Sequence, residues 1–437
     1  MSIKPFLLFV LVGAFILNAA DSPAVASKKA LDLLLAGKYA EFSQLLTPVA
    51  RERLTLAFLQ DRVGAEIKGF GNLEQINSPV TAKSGADTLV SYPIKFSKVT
   101  VAVQLTMNDA GHVAGLFFRP AESPLPPEWK RPAYSRPELF HEREITVGDG
   151  EWKLPGTITI PNGKGPFAAV VLVHGPGPND RDETLYSNHI FKDIAEGLAS
   201  RNIVVLRYDK RSKTHGLQMS SVNYKLQEET VEDAVKALRL LRTYSEVNPK
   251  KVFLIAHSLG GYAMPRIAVQ DGKLAGAVIL AGNSRPIEDV VLDQNEYMLE
   301  LRNGGGREER ERLQGLKEEV AKVKALGPGR NNPPVVLGLP VDYLLDLKNY
   351  NPASEAARLN MPMLFLQGQR DIQVTMKDLD RWKAALTGKK TATFKTYPSL
   401  NHLFIEGSGP GSPAEYRRPG NVAAEVLNDI SKWLERN

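Results

Sequence analysis

No cysteine occurs among the 437 residues. Disulfides, thiolate metal sites and lipid attachment at a lipobox-type cysteine are excluded, and stability has to rest on packing. Long apolar runs are almost as scarce. The one continuous stretch, Phe6 to Leu17, is shorter than the ~20 residues a membrane-spanning helix needs. Lys4 precedes it and Ala24-Val25-Ala26 follows it, which gives the basic start, apolar middle and A-x-A end of an export signal. Residues 1–26 are read as a signal peptide, with an uncleaved N-terminal anchor as the alternative. The expected location is secreted or periplasmic, with no stable membrane anchor once the signal is cut. The formal net charge of +6 is spread among interspersed acids and bases, with no basic stripe interleaved with aromatics, so nucleic acid is not an expected partner. A glycine-rich phosphate loop of Walker type is also missing, which argues against nucleotide use.

What is present suggests two domains. Residues 27–119 read as a small α+β accessory domain. Ala30 to Ala36 is helical up to Gly37, Ala40 to Leu46 is a second helix and Val49 to Val63 a third. Strands follow at Thr88–Phe96, Val99–Met107 and His112–Phe118, the last two joined by the turn Asn108-Asp109-Ala110-Gly111. His112 reads as a surface residue. Prolines at 120, 124, 126, 127, 132 and 137 make residues 120–137 a semi-stiff linker.

Residues 138–437 alternate short apolar runs with amphipathic stretches. Ile145–Val147 and Thr157–Ile160 form an antiparallel opening pair. Strands are expected at Ala168–Val173, Ile203–Tyr208, Val252–Ala256, Ala277–Leu280, Met363–Leu366 and Thr391–Tyr397. Capping boxes at Thr230–Asp233 and Thr375–Asp378 open two of the intervening helices. Val422, Val426, Leu427, Ile430, Trp433 and Leu434 mark a C-terminal one. Alternation of this kind specifies an eight-stranded, mostly parallel sheet covered on both faces. Residues 283–359 interrupt it. A charged helix over 307–326 lies within that insertion, bracketed by glycines 304–306 and Gly327-Pro328-Gly329, and the long insertion is read as a lid.

Ala256-His257-Ser258-Leu259-Gly260 is a variant of the G-x-S-x-G elbow, in which a sharp strand-to-helix turn lifts a serine hydroxyl above the sheet. The alternative is a serine that merely caps the helix. Asp371 follows the seventh strand and His402 the eighth, so Ser258, Asp371 and His402 occur in the chain order of a hydrolase triad. A serine hydroxyl is a poor nucleophile until an imidazole takes its proton, and that imidazole needs a carboxylate to fix its tautomer.

On these residues, together with His174-Gly-Pro-Gly-Pro-Asn-Asp-Arg-Asp-Glu183, residues 141–437 resemble the α/β-hydrolase superfamily. More narrowly they are similar to secreted bacterial carboxylesterases that carry such a segment, some of them behind a cystatin-like α+β domain. The resemblance implies hydrolysis of short-chain carboxylic esters without a cofactor, the partner being a small-molecule ester. The backbone N–H of Leu259 would form one side of an oxyanion hole. Pro176 cannot donate the other, so Gly177 donates it or the hole is built differently.

Other polar groups have plainer readings. His257 packs, His174 braces the loop, and Asp180, Asp182 and Glu183 cap or brace rather than bind a metal, of which none is expected. Tyr208-Asp209-Lys210-Arg211 supports the loop through an ion pair. A serine peptidase of prolyl-oligopeptidase type, an acyl-thioesterase and a non-catalytic binder with the same fold are the competing functions.

Overall fold

A computed structural model describes residues 23–84, 87–120, 129–220, 224–327 and 335–437. Residues 1–22 of the expected signal, 121–128 of the expected linker and 328–329 of the second glycine bracket lie outside the described residues. The chain divides into two compact units, Met1–Leu125 and Pro126–Asn437. No described helix is long and apolar enough to cross a membrane.

The first unit begins with α1 (Pro23–Leu35), which starts before the expected cleavage point. Its sheet contains β1 (Leu73–Ile76), β2 (Val80–Ser84), β3 (Asp87–Phe96), β4 (Thr100–Met107) and β5 (Val113–Pro120), all pairing antiparallel. The first two strands escape a sequence reading because they are short and mostly exposed, with no clear alternation. The turn before β5 forms as read: Asn108 Oδ1 accepts the His112 N–H at 2.8 Å and Gly111 takes φ +78°. The expected helix over 49–63 is broken instead. Thr47 and Thr55 each cap a new start, and Leu54 between them leaves helical geometry. Leu31, Leu34 and Phe42 close a core against Val90, Tyr92, Val103 and Leu105.

In the second unit the central strands are β6 (Phe140–Val147), β7 (Leu154–Pro161), β8 (Phe167–Val173), β9 (Ile203–Tyr208), β10 (Val247–His257), β11 (Gly276–Leu280), β12 (Met363–Gly368) and β13 (Ala392–Tyr397). They lie in the order β13-β12-β11-β10-β8-β9-β7-β6, and β7 alone runs against the rest. Every residue of β9 and β11 is buried, as expected for strands covered on both faces. Successive residues serve opposite faces. Ala169, Val171 and Val173 pack with α3 (Glu232–Leu241) and α4 (Leu259–Asp271), while Val170 and Leu172 pack with α2 (Ile190–Ala199) and the C-terminal helix Ala424–Arg436. From β8 the chain crosses to one side for β9 and to the other for β10. This reversal opens a crevice beyond the strands' carboxyl ends.

Three local expectations need correction. Residues 129–137 are not a free spacer. Trp129 Nε1 donates to Asp193 at 3.0 Å, and Arg131 and Ser135 both donate to Glu196, the carboxylates belonging to the same helix α2. The helix ending at Leu241 is not opened by a box at Thr230. It is entered through a π-helical turn, Gln227–Val231, and the buried Thr230 hydroxyl has no hydrogen-bond partner among the described residues. The helix Met376–Ala385 does start beside Thr375, but that side chain makes no capping bond. Asp378 instead accepts from Ser284 N at 2.9 Å and from the Arg285 guanidinium.

The insertion contributes α5 (Ile287–Glu300), α6 (Arg307–Ala325) and α7 (Val341–Lys348), with a small core of Val323, Leu326, Val336 and Leu344. Tyr297 Oη donates to Gly411 O at 2.8 Å and Gln294 Nε2 to Gln373 O at 2.9 Å, so α5 is pinned beside the segments that follow β13 and β12.

Candidate active site

Four turns at the carboxyl ends of parallel strands build the site. At the end of β10, Ser258 has φ +53° and ψ −116°, a strained backbone for a residue with a side chain. The turn holds because its surroundings leave no alternative. Ser258 N donates to Leu280 O at 2.9 Å in the next strand, and a Cβ on Gly260 would lie 2.5 Å from Val173 O. A side chain two residues after the serine would therefore collide with the backbone of β8. Ser258 does not cap the following helix, and its hydroxyl has no hydrogen-bond partner among the described residues.

The loops after β12 and β13 bring Asp371 and His402 together, with Nδ1 to Oδ2 at 2.7 Å. A carboxylate only accepts, so Nδ1 carries the hydrogen and Nε2 keeps its lone pair. Asp371 Oδ1 accepts from Gln373 N at 2.8 Å and Val374 N at 2.9 Å, and Oδ2 also accepts from Gln367 Nε2 at 3.0 Å. Both residues are buried. His402 is tied to the elbow through the serine's neighbour: His257 Nε2 lies 3.1 Å from His402 O, and the two rings are 4.7 Å apart. Asp371 and His402 are thus paired, and the His402 loop is bonded to the residue that precedes Ser258.

The loop after β8 lies across the elbow. A Cβ on Gly175 would stand 3.2 Å from Ser258 Cβ and 3.6 Å from its Oγ. The donors along this loop are largely committed. Gly175 N donates to Glu183 Oε1 at 2.7 Å and Asn179 N to Gly177 O at 3.0 Å, while Pro176 and Pro178 have no N–H. Gly177, at φ +92°, is the one backbone donor of 175–179 without a partner among the described residues. Leu259 N begins helix α4, where an N–H has no intrahelical acceptor.

Buried charges hold this loop. Lys210 Nζ donates to Gly175 O at 2.8 Å and pairs with Glu229 at 2.8 Å, which in turn accepts from Tyr343 Oη of α7 at 2.7 Å. Glu183 faces His257, Oε2 to Nδ1 at 3.0 Å, with the atoms out of line for a hydrogen bond, so the attraction is mainly electrostatic. Burial pushes the Glu183 carboxyl up, but His257, His174 and the Gly175 N–H together outweigh it and hold the group at about 2. Burial likewise lowers His257, and Glu183 overcomes it to leave the imidazole raised. His174 is the opposite case: burial dominates, its pKa falls, and Nε2 sits 3.0 Å from Asp180 O.

The remaining acids of the segment are spoken for. Asp180 Oδ1 accepts from Asp182 N and Thr184 N, and Asp182 accepts from Arg207 Nε at 2.8 Å. Among the described residues no group of three or more His, Cys, Asp or Glu could hold a metal ion. A cavity of about 520 Å³ opens beside Asp371, lined by Asp293, Tyr297 and Arg370 among others, but Ser258 and His402 do not line it. The loop-supporting ion pair expected at Tyr208-Asp209-Lys210-Arg211 is present, but sequence reasoning missed Glu229 and Tyr343 as partners of Lys210, and missed the Glu183–His257 pair. The residues lie 74 to 145 positions from some of what they serve, and no local pattern announces such partners.

A family model described as alpha/beta hydrolase family matches residues 170–416. The chain is 41% identical over 346 residues to esterase EstD of Thermotoga maritima, covering 79% of each. Among solved structures, Est1E from Butyrivibrio proteoclasticus superposes with a TM-score of 0.45 at 12% identity, over 67% of this chain and 99% of that one. A puromycin-hydrolysing peptidase of Mycobacterium tuberculosis gives 0.43 at 18% identity, over 82% of this chain and 46% of that longer one.

Proposed function

Because this chain belongs to the alpha/beta hydrolase family and is an esterase-type hydrolase, we propose that it is an exported serine carboxylesterase working through an acyl-enzyme on Ser258. His402 Nε2 takes the proton as Ser258 Oγ attacks the ester carbonyl, and Asp371 holds the ring and steadies its positive charge. The oxyanion that forms accepts from Leu259 N and Gly177 N. Collapse breaks the carbon–oxygen bond to the alcohol, which leaves with the proton from His402. A water then gives a proton to His402 and attacks the acyl carbon, and collapse breaks the bond to Ser258 Oγ, which takes the proton back from His402 as the acid leaves. Small-molecule esters with short acyl chains are the substrates proposed. The narrower likeness to secreted carboxylesterases with a cystatin-like front domain, the lid role of 283–359 and the signal at 1–26 belong to the same proposal.

The observation that carries the reading is the His402–Asp371 pair at 2.7 Å, whose histidine loop is bonded to the residue beside Ser258. Labelling with a fluorophosphonate tests it. The native protein should be labelled stoichiometrically, and Ser258→Ala should lose both the label and about a millionfold in turnover on p-nitrophenyl acyl esters. An Ala variant that stays active would overturn the serine mechanism. A panel of aminoacyl amides separates an esterase from a peptidase.

A further inference from the structure

Glu183 and His257 are both buried, with side chains 7% and 4% exposed, and neither forms or breaks a bond in the proposed reaction. Each reaches a different wall of the site. Glu183 Oε1 holds Gly175 N at 2.7 Å on the loop over the serine. His257 holds His402 O at 3.1 Å on the loop that carries the base. Since a carbonyl only accepts, His257 Nε2 bears a hydrogen, and Nδ1 faces the Glu183 carboxylate at 3.0 Å. The result is one continuous path, Gly175 to Glu183 to His257 to His402, running through the residue that precedes Ser258.

We propose that the buried Glu183–His257 pair is a positioning pair that locks the oxyanion-side loop and the His402 loop into one register around Ser258. This rests on the reading of Ser258, His402 and Asp371 as the reacting residues. The geometry explains why an ion pair is worth burying at this point. A Cβ on Gly175 would stand 3.2 Å from Ser258 Cβ, so this peptide runs close to the serine and a small shift of it moves the neighbouring Gly177 donor relative to the reacting carbon. A shift of His402 O moves the base on the opposite side. Lys210 fixes the other end of the Gly175 peptide, at its carbonyl, but makes no link to His402. The Glu183–His257 pair joins the Gly175 peptide to the His402 carbonyl by the shortest polar route among the described residues.

Three variants test this: Glu183→Gln, His257→Asn and the two combined. Asn at 257 can still face residue 183 but is too short to reach His402 O. With p-nitrophenyl acetate, each single change should lower kcat by about tenfold to a hundredfold with KM nearly unchanged. The rate of fluorophosphonate labelling should fall in parallel, since it depends on the same donors and base. The double variant should be no slower than the worse single one, because both changes cut the same tether. If a single variant fails to fold because a charge is stranded, the double, which strands none, supplies the reading. Folded variants with kcat within about twofold of native, a loss confined to KM, or single effects that multiply would each overturn the proposal. Ser258→Ala run alongside separates the two levels. Activity surviving there sinks the serine mechanism, whereas an inactive Ala variant beside a fully active Glu183→Gln sinks the positioning pair alone.

Discussion

At Asp371 the labour of one carboxylate is divided between its two oxygens. Oδ1 closes the tight turn onto Gln373 N and Val374 N, while Oδ2 receives the imidazole and the Gln367 amide. In Asp371→Asn the side-chain carbonyl can still close the turn, but an NH₂ then opposes His402 Nδ1 and selects the wrong tautomer. We expect kcat on a short ester to drop by about ten-thousandfold with KM little changed. Initial-rate kinetics check it, and a loss below tenfold would remove Asp371 from this role. At this scale the sequence was highly informative. Ser258 and Gly260 could be picked out because a left-handed serine next to a crowding strand demands a small residue at a fixed spacing. Gly177 stood out through its proline neighbours, which have no N–H. What could not be seen was which donors the fold would leave uncommitted.

Among the elements, β3, β9 and β11 were legible to within a residue, whereas β6 and β10 begin five residues before the expected Ile145 and Val252, in polar stretches that carry no strand pattern. Helix boundaries set by side-chain hydrogen bonds were less legible. Nothing local tells Thr55, which caps, from Thr230 and Thr375, which do not. Such outcomes depend on what tertiary neighbours offer: Asp378 forgoes a capping role because Ser284 and Arg285 arrive from 94 and 93 positions away. The contact between α7 and the π-helical turn Gln227–Val231 is of this kind too. Tyr343 Oη donates to Glu229, which shares its charge with Lys210 beneath Gly175. Removing that hydroxyl in Tyr343→Phe should cost about 1.5–3 kcal/mol, the usual worth of a hydrogen bond to a charged group. Urea unfolding would register it, and an unchanged midpoint would show that α7 is not fastened there.

For the molecule as a whole, charge buried in the second unit makes stability depend on pH. Burial raises the Glu183 carboxyl, but His257, with His174 and the Gly175 N–H, prevails and holds it at about 2 against an ordinary 4.5. The folded form thus binds that proton less readily than the unfolded chain. This contribution is present above 4.5 and drains away as pH falls towards 2. Burial lowers His257, and Glu183 prevails to hold it above its ordinary 6.5. That contribution is complete below 6.5 and is lost as pH rises through the folded-state value. The pair should therefore stabilise most between about pH 4.5 and 6.5. Subtracting the unfolding free energy of the double variant Glu183→Gln/His257→Asn from that of the native protein should give a curve that peaks in this window. A flat difference would mean that the two groups are not ionised against each other.

The path from Gly175 through His257 to His402 spans loops that lie far apart along the chain, the last bond alone joining positions 145 apart. No fragment, hairpin or lone βα unit contains enough of it to work. On the proposed mechanism chemistry begins only when the final strand docks, so an unfinished or unravelled polypeptide should be inert towards esters.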